Sequence, residues 1–254
     1  MQEINNNNKN SLIFKNISFK VKKKNEELII LDNVSANVYS GELLGILGPS
    51  GAGKTTLLNV LTHSAYGGKS SGKITYNGKE ITPKFLRENC YIVNQQDYHW
   101  PFLTCEETIE YAINLYMKKN TSEEVKNLKN KIIKQVGLES CRETKVGNEF
   151  FKGLSGGQKR RLSIAIALVK ESSVIFLDEP TSGLDAAAAS NVISELNKLS
   201  KELNLIIVTT IHQPSSKIFF DFDNVMILSE GRMAYFDSPH KCKSYLESID
   251  KFVP

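Results

Sequence analysis

The sequence contains no apolar run near the roughly 20 residues that a membrane-spanning helix needs. Its longest, such as Val174 to Leu177 and Leu205 to Val208, have the length of buried strands. No apolar segment follows Met1, so no secretory leader is expected. Charge of one sign is missing too: 32 basic against 28 acidic residues leave +4, spread along the chain. That is too little to argue for a nucleic-acid partner or a membrane anchor. Cys90, Cys105, Cys141 and Cys242 lie far apart with no CxxC spacing, which excludes metal-ligand pairing and reads as reduced structural thiols of an intracellular protein. There is no internal repeat. What remains is 254 residues, 41% of them hydrophobic, enough for one large α/β domain with a sizeable core.

The most informative stretch is Gly48-Pro49-Ser50-Gly51-Ala52-Gly53-Lys54-Thr55, set between the apolar run Leu43 to Leu47 and the helix-like Thr56 to Leu61. Strand, glycine loop and helix in that order form a phosphate cradle: the glycines let successive N–H groups point inward, and the helix adds its positive end. Lys54 would reach the β- and γ-phosphates, and Thr55 would hold Mg²⁺ through its hydroxyl, with Thr56 beside it.

Around this loop the chain reads in order. Residues 1–11, with Asn5 to Asn8 and almost nothing apolar, read as a disordered tail. Ile13 to Lys20 alternates as a half-buried strand does, Lys22 to Glu27 reads as a solvated turn, and Leu28 to Leu31 and Val34 to Val38 continue a sheet. Gly67 to Gly72 reads as a flexible turn, followed by a strand at Lys73 to Tyr76 and a tight turn at Asn77-Gly78. Tyr91-Ile92-Val93 is a short buried strand ending at Asn94-Gln95-Gln96-Asp97, where a glutamine can meet Mg²⁺ and an attacking water. The aromatic loop Tyr98 to Phe102 either plugs the core or forms a docking surface. Helices are predicted over Thr104 to Met117 and, with a charged face, over Ser122 to Val136.

Leu154-Ser155-Gly156-Gly157-Gln158 opens a helical stretch to Val169 and makes a second anion site at a helix N-terminus. One domain has no use for two γ-phosphate sites on one nucleotide, whereas two domains facing head to tail would use both. Ser172 to Leu177 is a buried strand that ends in Asp178-Glu179. There Asp178 can orient Mg²⁺ and Glu179 can act as general base on water. Leu205 to Ile211 is the last central strand, and it delivers His212, placed to contact a γ-phosphate.

These motifs, in this order, resemble the nucleotide-binding domain of ABC transporters over nearly the whole chain beyond the tail. By position, Gly48 to Thr55 would be Walker A, Gln95 the Q-loop residue and Ser155 to Gln158 the signature. Asp178 and Glu179 would be Walker B and the catalytic base, Ser182 to Asp185 the D-loop, and His212 the switch histidine. Glu179-Pro180-Thr181-Ser182-Gly183-Leu184-Asp185, His212-Gln213-Pro214-Ser215-Ser216 and Gly231 with Tyr235-Phe236 are similar to the G subfamily, the White/PDR type. Its members place the ATPase domain ahead of six membrane helices, and Pro254 falls about where the linker to them would begin. The sequence departs from many relatives near Val21, where they place an aromatic under the adenine, and Gln95-Gln96 admits two registers, of which Gln95 is taken.

The resemblance implies an α/β P-loop NTPase fold of RecA-like type with a mostly parallel sheet, an antiparallel β subdomain and an α-helical subdomain over about 98–164, all within 12–254. It implies an Mg-ATPase with ATP and Mg²⁺ as cofactors. Its partners would be a second ABC ATPase domain, identical or different, and a transporter's transmembrane domain, placing the chain at the cytosolic face of a membrane. The alternative is a soluble ATP-driven switch. Such proteins carry two domains in tandem or long coiled-coil insertions, and this chain has neither.

Overall fold

The computed structural model describes residues 9–23, 26–117 and 121–249. Three runs without a charged residue, β3 (Leu43–Leu47), β7 (Val174–Leu177) and β8 (Ile206–Ile211), are buried along their whole lengths. Strands covered on both faces favour parallel pairing with helices above and below. The six-stranded sheet bears this out, in the order β10-β9-β3-β8-β7-β6. Here β6 is Cys90–Val93, β9 is Asn224–Ser229 and β10 is Arg232–Asp237, and only the β9–β10 pairing is antiparallel.

Because alternate side chains leave a strand on opposite faces, these strands feed two separate cores. Leu43, Leu47, Ile175, Leu177, Ile207 and Ile211 pack with helices α3 (Cys105–Tyr116), α4 (Ser122–Gln135), α5 (Gly156–Val169) and α6 (Ala186–Glu202). Leu44, Ile46, Val174, Phe176, Ile206 and Val208 face the other way, onto α1 (Lys54–Leu61) and an antiparallel sheet. A fully buried side chain such as Phe176 contributes about 1.5–3 kcal/mol to this arrangement. The helices after the glycine loop and after Leu154 therefore lie against opposite faces of the central sheet.

The antiparallel sheet has the order β2-β1-β4-β5, with β1 Ser11–Lys23, β2 Glu26–Tyr39, β4 Gly68–Tyr76 and β5 Lys79–Glu80. Three expectations are corrected here. Of the tail, residues 1–8 lie outside the described residues, and Ser11 already opens β1. Of the expected Lys22 to Glu27 turn, Lys22 and Lys23 belong to β1 and Glu26 and Glu27 to β2, and residues 24–25 also lie outside the described residues. β2 runs unbroken through Asp32-Asn33 as a bulge, these two residues opposing the single Ser18 of β1: Asn33 takes a left-handed φ of 57° and its N–H is received by Ser18 Oγ at 3.0 Å.

The glycine and serine run at 67–72 is mostly strand: Gly68 pairs with Val21 and Ser71 with Ser18. Cross-strand pairing overrides the weak β-propensity of these residues. Asn77 and Gly78, both at positive φ, make the expected hairpin turn. Among the described residues there are also α2 (Pro83–Asn89), α7 (Ser216–Phe220), α8 (Pro239–Ser248) and a 3-10 turn at Glu139–Cys141. Helices α3, α4 and α5 each begin with a capping box, Thr104 with Glu107, Thr121 with Glu124 and Ser155 with Gln158, a device that contributes about 1 kcal/mol per cap. All four cysteines are free and buried.

Candidate active site

The glycine loop leaves β3 at Gly48 and enters α1 with Gly53 as its N-cap at φ 99°. A Cβ at Gly53 would lie 2.9 Å from Leu31 Cδ2, so both its backbone angle and its surroundings demand glycine. The loop is buttressed from behind by the β9–β10 turn, where the Gly231 N–H donates to the Ala52 carbonyl at 3.1 Å. Gly231 is wedged so tightly that a Cβ there would stand 2.2 Å from the Ile30 carbonyl oxygen, which accounts for a glycine far from the loop in sequence. Lys54 is 5% exposed and lies along the loop, donating to the carbonyls of Gly48 at 2.8 Å and Pro49 at 3.1 Å.

The other chemistry-bearing residues converge on this point because β3, β8 and β7 are neighbours and end on the same side. Thr55 Oγ1 donates to Asp178 Oδ1 at 3.1 Å. Glu179 follows, with Oε1 4.0 Å from Lys54 Nζ and Oε2 receiving Gln95 Nε2 at 3.1 Å. Gln96 turns away and accepts from the Tyr98 hydroxyl at 2.7 Å. Glu179 is held in the left-handed region at φ 44°, a conformation that costs a residue with a Cβ on the order of 1–3 kcal/mol.

Sequence reasoning missed what holds Glu179 there. Thr210 of β8 is completely buried. Its Oγ1 accepts the Glu179 N–H at 2.8 Å and donates to Asp178 Oδ1 at 2.6 Å, so one hydroxyl ties both carboxylate residues to the neighbouring strand. The available signal was a pair of threonines in an otherwise apolar strand. His212 follows β8 directly and is exposed, with no side-chain hydrogen bond among the described residues. The oxygen donors of Thr55 and Asp178, hard ligands meeting beside the loop, suit Mg²⁺. No cluster of three or more His, Cys, Asp or Glu that could hold a metal occurs among the described residues, and Mg²⁺ shared with phosphates requires none.

The second predicted anion site, Ser155 to Gln158, hydrogen-bonds to none of these residues among the described ones. Ser155, Gly156, Gly157 and Gln158 form the start of α5, where Ser155 Oγ accepts the Gln158 N–H at 3.3 Å and Gln158 Oε1 accepts the Ser155 N–H at 2.8 Å. Gly156 packs on Leu184, whose Cδ2 would be 2.9 Å from an added Cβ. Asp185 caps α6 by accepting the Ala188 N–H at 2.8 Å. Farther along α5, the buried Arg160 pairs with Asp97.

The aromatic loop does not plug the core. Trp100 is 66% and Phe102 67% exposed, and Phe150 from the loop before α5 is 86% exposed. Trp100 rests on Tyr111, with ring centroids 5.9 Å apart, and Phe102 rests on Phe151 at 5.6 Å.

His99, within this loop, is turned inward, its Nε2 2.9 Å from Ser163 Oγ. Burial depresses its pKa, with Lys159 and Arg160 acting in the same sense, while the Asp97 carboxylate and the Lys159 carbonyl oppose them. The unfolded chain therefore takes up a proton before the folded one does, and stability falls as pH drops below about 6.5, the ordinary histidine value. Urea unfolding at pH 7.5 and pH 5.5 should show this loss, and His99→Gln should lose less over the same interval. Equal losses in both proteins would remove His99 as the source.

Comparison with known proteins gives one answer. The family model described as ABC transporter matches residues 31–182. ABC transporter G family member 22 of Dictyostelium discoideum is 39% identical over 232 residues, covering 89% of this chain and 38% of that protein. ABC transporter G family member 22 of Arabidopsis thaliana is 38% identical over 243 residues, 94% of this chain and 32% of that protein. The chain thus spans about a third of the length of these relatives. Among solved structures, cbiO1 of Clostridium perfringens, part of the ABC transporter complex cbiONQ, superposes with a TM-score of 0.76 at 27% identity, covering 94% of this chain and 92% of that one. A dimeric ATP-binding cassette in a post-hydrolysis state, bound to ADP and Pi, gives a TM-score of 0.71 at 26% identity, covering 90% of this chain and 98% of that one. The chain belongs to the ABC transporter family, as an ATPase domain of the kind carried by its G family members.

Proposed function

We propose that this domain hydrolyses Mg-ATP as half of a head-to-tail pair, and that the pair's closing and opening drives a substrate through membrane helices outside these 254 residues. The observation that carries the reading is the placement of α1 and α5 on opposite faces of the central sheet. Lys54, Thr55, Asp178, Glu179 and Gln95 converge within one chain, while Ser155 to Gln158 hydrogen-bond to none of them among the described residues. A partner domain turned head to tail supplies that second site to the same nucleotide. The dimeric state of the cassette bound to ADP and Pi, and the membership of cbiO1 in a transporter complex, support the same arrangement.

In this reading Gly48 to Thr56 wrap the phosphates, and Lys54 leaves its loop carbonyls for the β- and γ-phosphate oxygens. Thr55, Asp178 and Gln95 would hold Mg²⁺, which would supply positive charge to offset that of the phosphates. Glu179 takes the proton of the attacking water, Gln95 and His212 fix that water and the γ-phosphate, and Ser155 of the partner domain steadies the charge that develops. The exposed rings of Tyr98, Trp100, Phe102 and Phe150 form the surface that meets the membrane helices at the cytosolic face.

Specific ATPase rate measured against protein concentration, with Glu179→Gln as the blank, tests the pairing. The rate per domain should climb and then saturate. A rate above the blank that stays flat down to the lowest concentrations would count against reversible pairing.

A further inference from the structure

Helix α5 carries a buried cation that the phosphate chemistry does not use. Arg160 is 3% exposed. Its Nη1 donates to the Asn94 carbonyl and its Nη2 to the Gln95 carbonyl, each at 2.6 Å. Asp97 Oδ1 stands 3.1 Å from Nη1 and also accepts from Ser163 Oγ at 2.5 Å. Arg160 and Ser163 are three residues apart and so share a face of the helix. One face of α5 therefore grips both ends of the 94–97 turn. Burying a guanidinium is unfavourable unless its donors are matched, and an apolar side chain would fill the same space without that penalty. The two matched carbonyls precede and follow the Cα of Gln95, so both peptide planes flanking that residue are fixed. Fixing both sets the direction in which its side chain leaves the backbone, and that side chain ends 3.1 Å from Glu179 Oε2.

We infer that Arg160 is a positioning residue for hydrolysis: it clamps the peptides on either side of Gln95 so that the Gln95 amide is presented to Glu179. The inference rests on the role proposed above for Gln95. A planar fork can hold two consecutive carbonyls, and an ammonium cannot reproduce it. Arg160→Lys keeps the charge beside Asp97 and the fold, and removes the fork.

The test combines kinetics with amide exchange on the whole chain. Arg160→Lys should lower kcat about ten- to a hundred-fold, as a small misplacement of a reacting group does, with KM for ATP within about two-fold of the parent. Exchange over residues 94–97 should quicken while β7, β8 and the rest of α5 stay protected, a readout that needs no turnover. In a Gln95→Ala background, Arg160→Lys should lower kcat no further. Undisturbed exchange at 94–97, a fully additive loss in the double variant, or a rise in KM alone overturns the inference. Should Gln95→Ala itself turn over at the parent rate, the role of Gln95 falls and the inference with it. Should Gln95→Ala be slow and Arg160→Lys fast, only the inference falls.

Discussion

Glu179→Gln should bind ATP as the parent does and hydrolyse it about 10²- to 10⁴-fold more slowly, the range that a positioned general base contributes. The amide keeps the size of the side chain and its hydrogen-bonding reach toward Gln95, 3.1 Å away. It cannot accept the proton of the attacking water. Binding should survive because the phosphate loop is held by its own backbone and by Gly231, not by Glu179. Nucleotide titration by fluorescence and phosphate release in the same samples separate the two effects. Turnover at the parent rate in this variant would remove Glu179 from the role of base.

Thr210→Val should slow hydrolysis and destabilise the fold together. Valine nearly matches threonine in shape, so the change deletes one hydroxyl and leaves the packing of β8 intact. The Glu179 N–H then loses its acceptor, and Asp178 loses one of the two donors that hold Oδ1. An unpaired buried donor costs about 1–3 kcal/mol, which in a chain of this size lowers Tm by roughly 2–4 °C per kcal/mol. Glu179 sits at φ 44°, and releasing its anchor frees it to relax out of that conformation. A fall in kcat of about ten-fold or more follows if the carboxylate moves, since ten-fold corresponds to only about 1.4 kcal/mol. Thr210→Ser restores the hydroxyl and should recover the rate. A Thr210→Val enzyme with lowered Tm and parental kcat would show that the hydroxyl serves the fold alone.

The two variants mark where the sequence is legible. Lys54, Thr55, Asp178, Glu179 and Gln95 stand out in the amino-acid sequence because phosphate and metal chemistry demands those residue types at those spacings, and the fold brings them to one place. The central strands are equally plain, since an apolar run of four to six residues has few other uses in a sequence of this composition. Thr210 and Arg160 are not legible in this way. One reads as a polar residue in a buried strand and the other as part of a basic patch on a helix. Only the neighbouring strand and the 94–97 turn, distant in sequence, give them partners. The glycine and serine run at 67–72 misleads for the opposite reason: its local signal says turn, and the pairing of β4 with β1 overrules it.

The burial of the four cysteines has a practical consequence for following this protein in solution. Burial pushes the thiols of Cys90 and Cys105 up to about 12, and those of Cys141 and Cys242 upward as well. Only the thiolate attacks a maleimide or iodoacetamide, so the native thiols stay dark to such reagents while the fold is intact. A single cysteine introduced on the exposed aromatic loop can therefore take a spectroscopic label without first stripping the native four, and a burst of extra labelling would report unfolding.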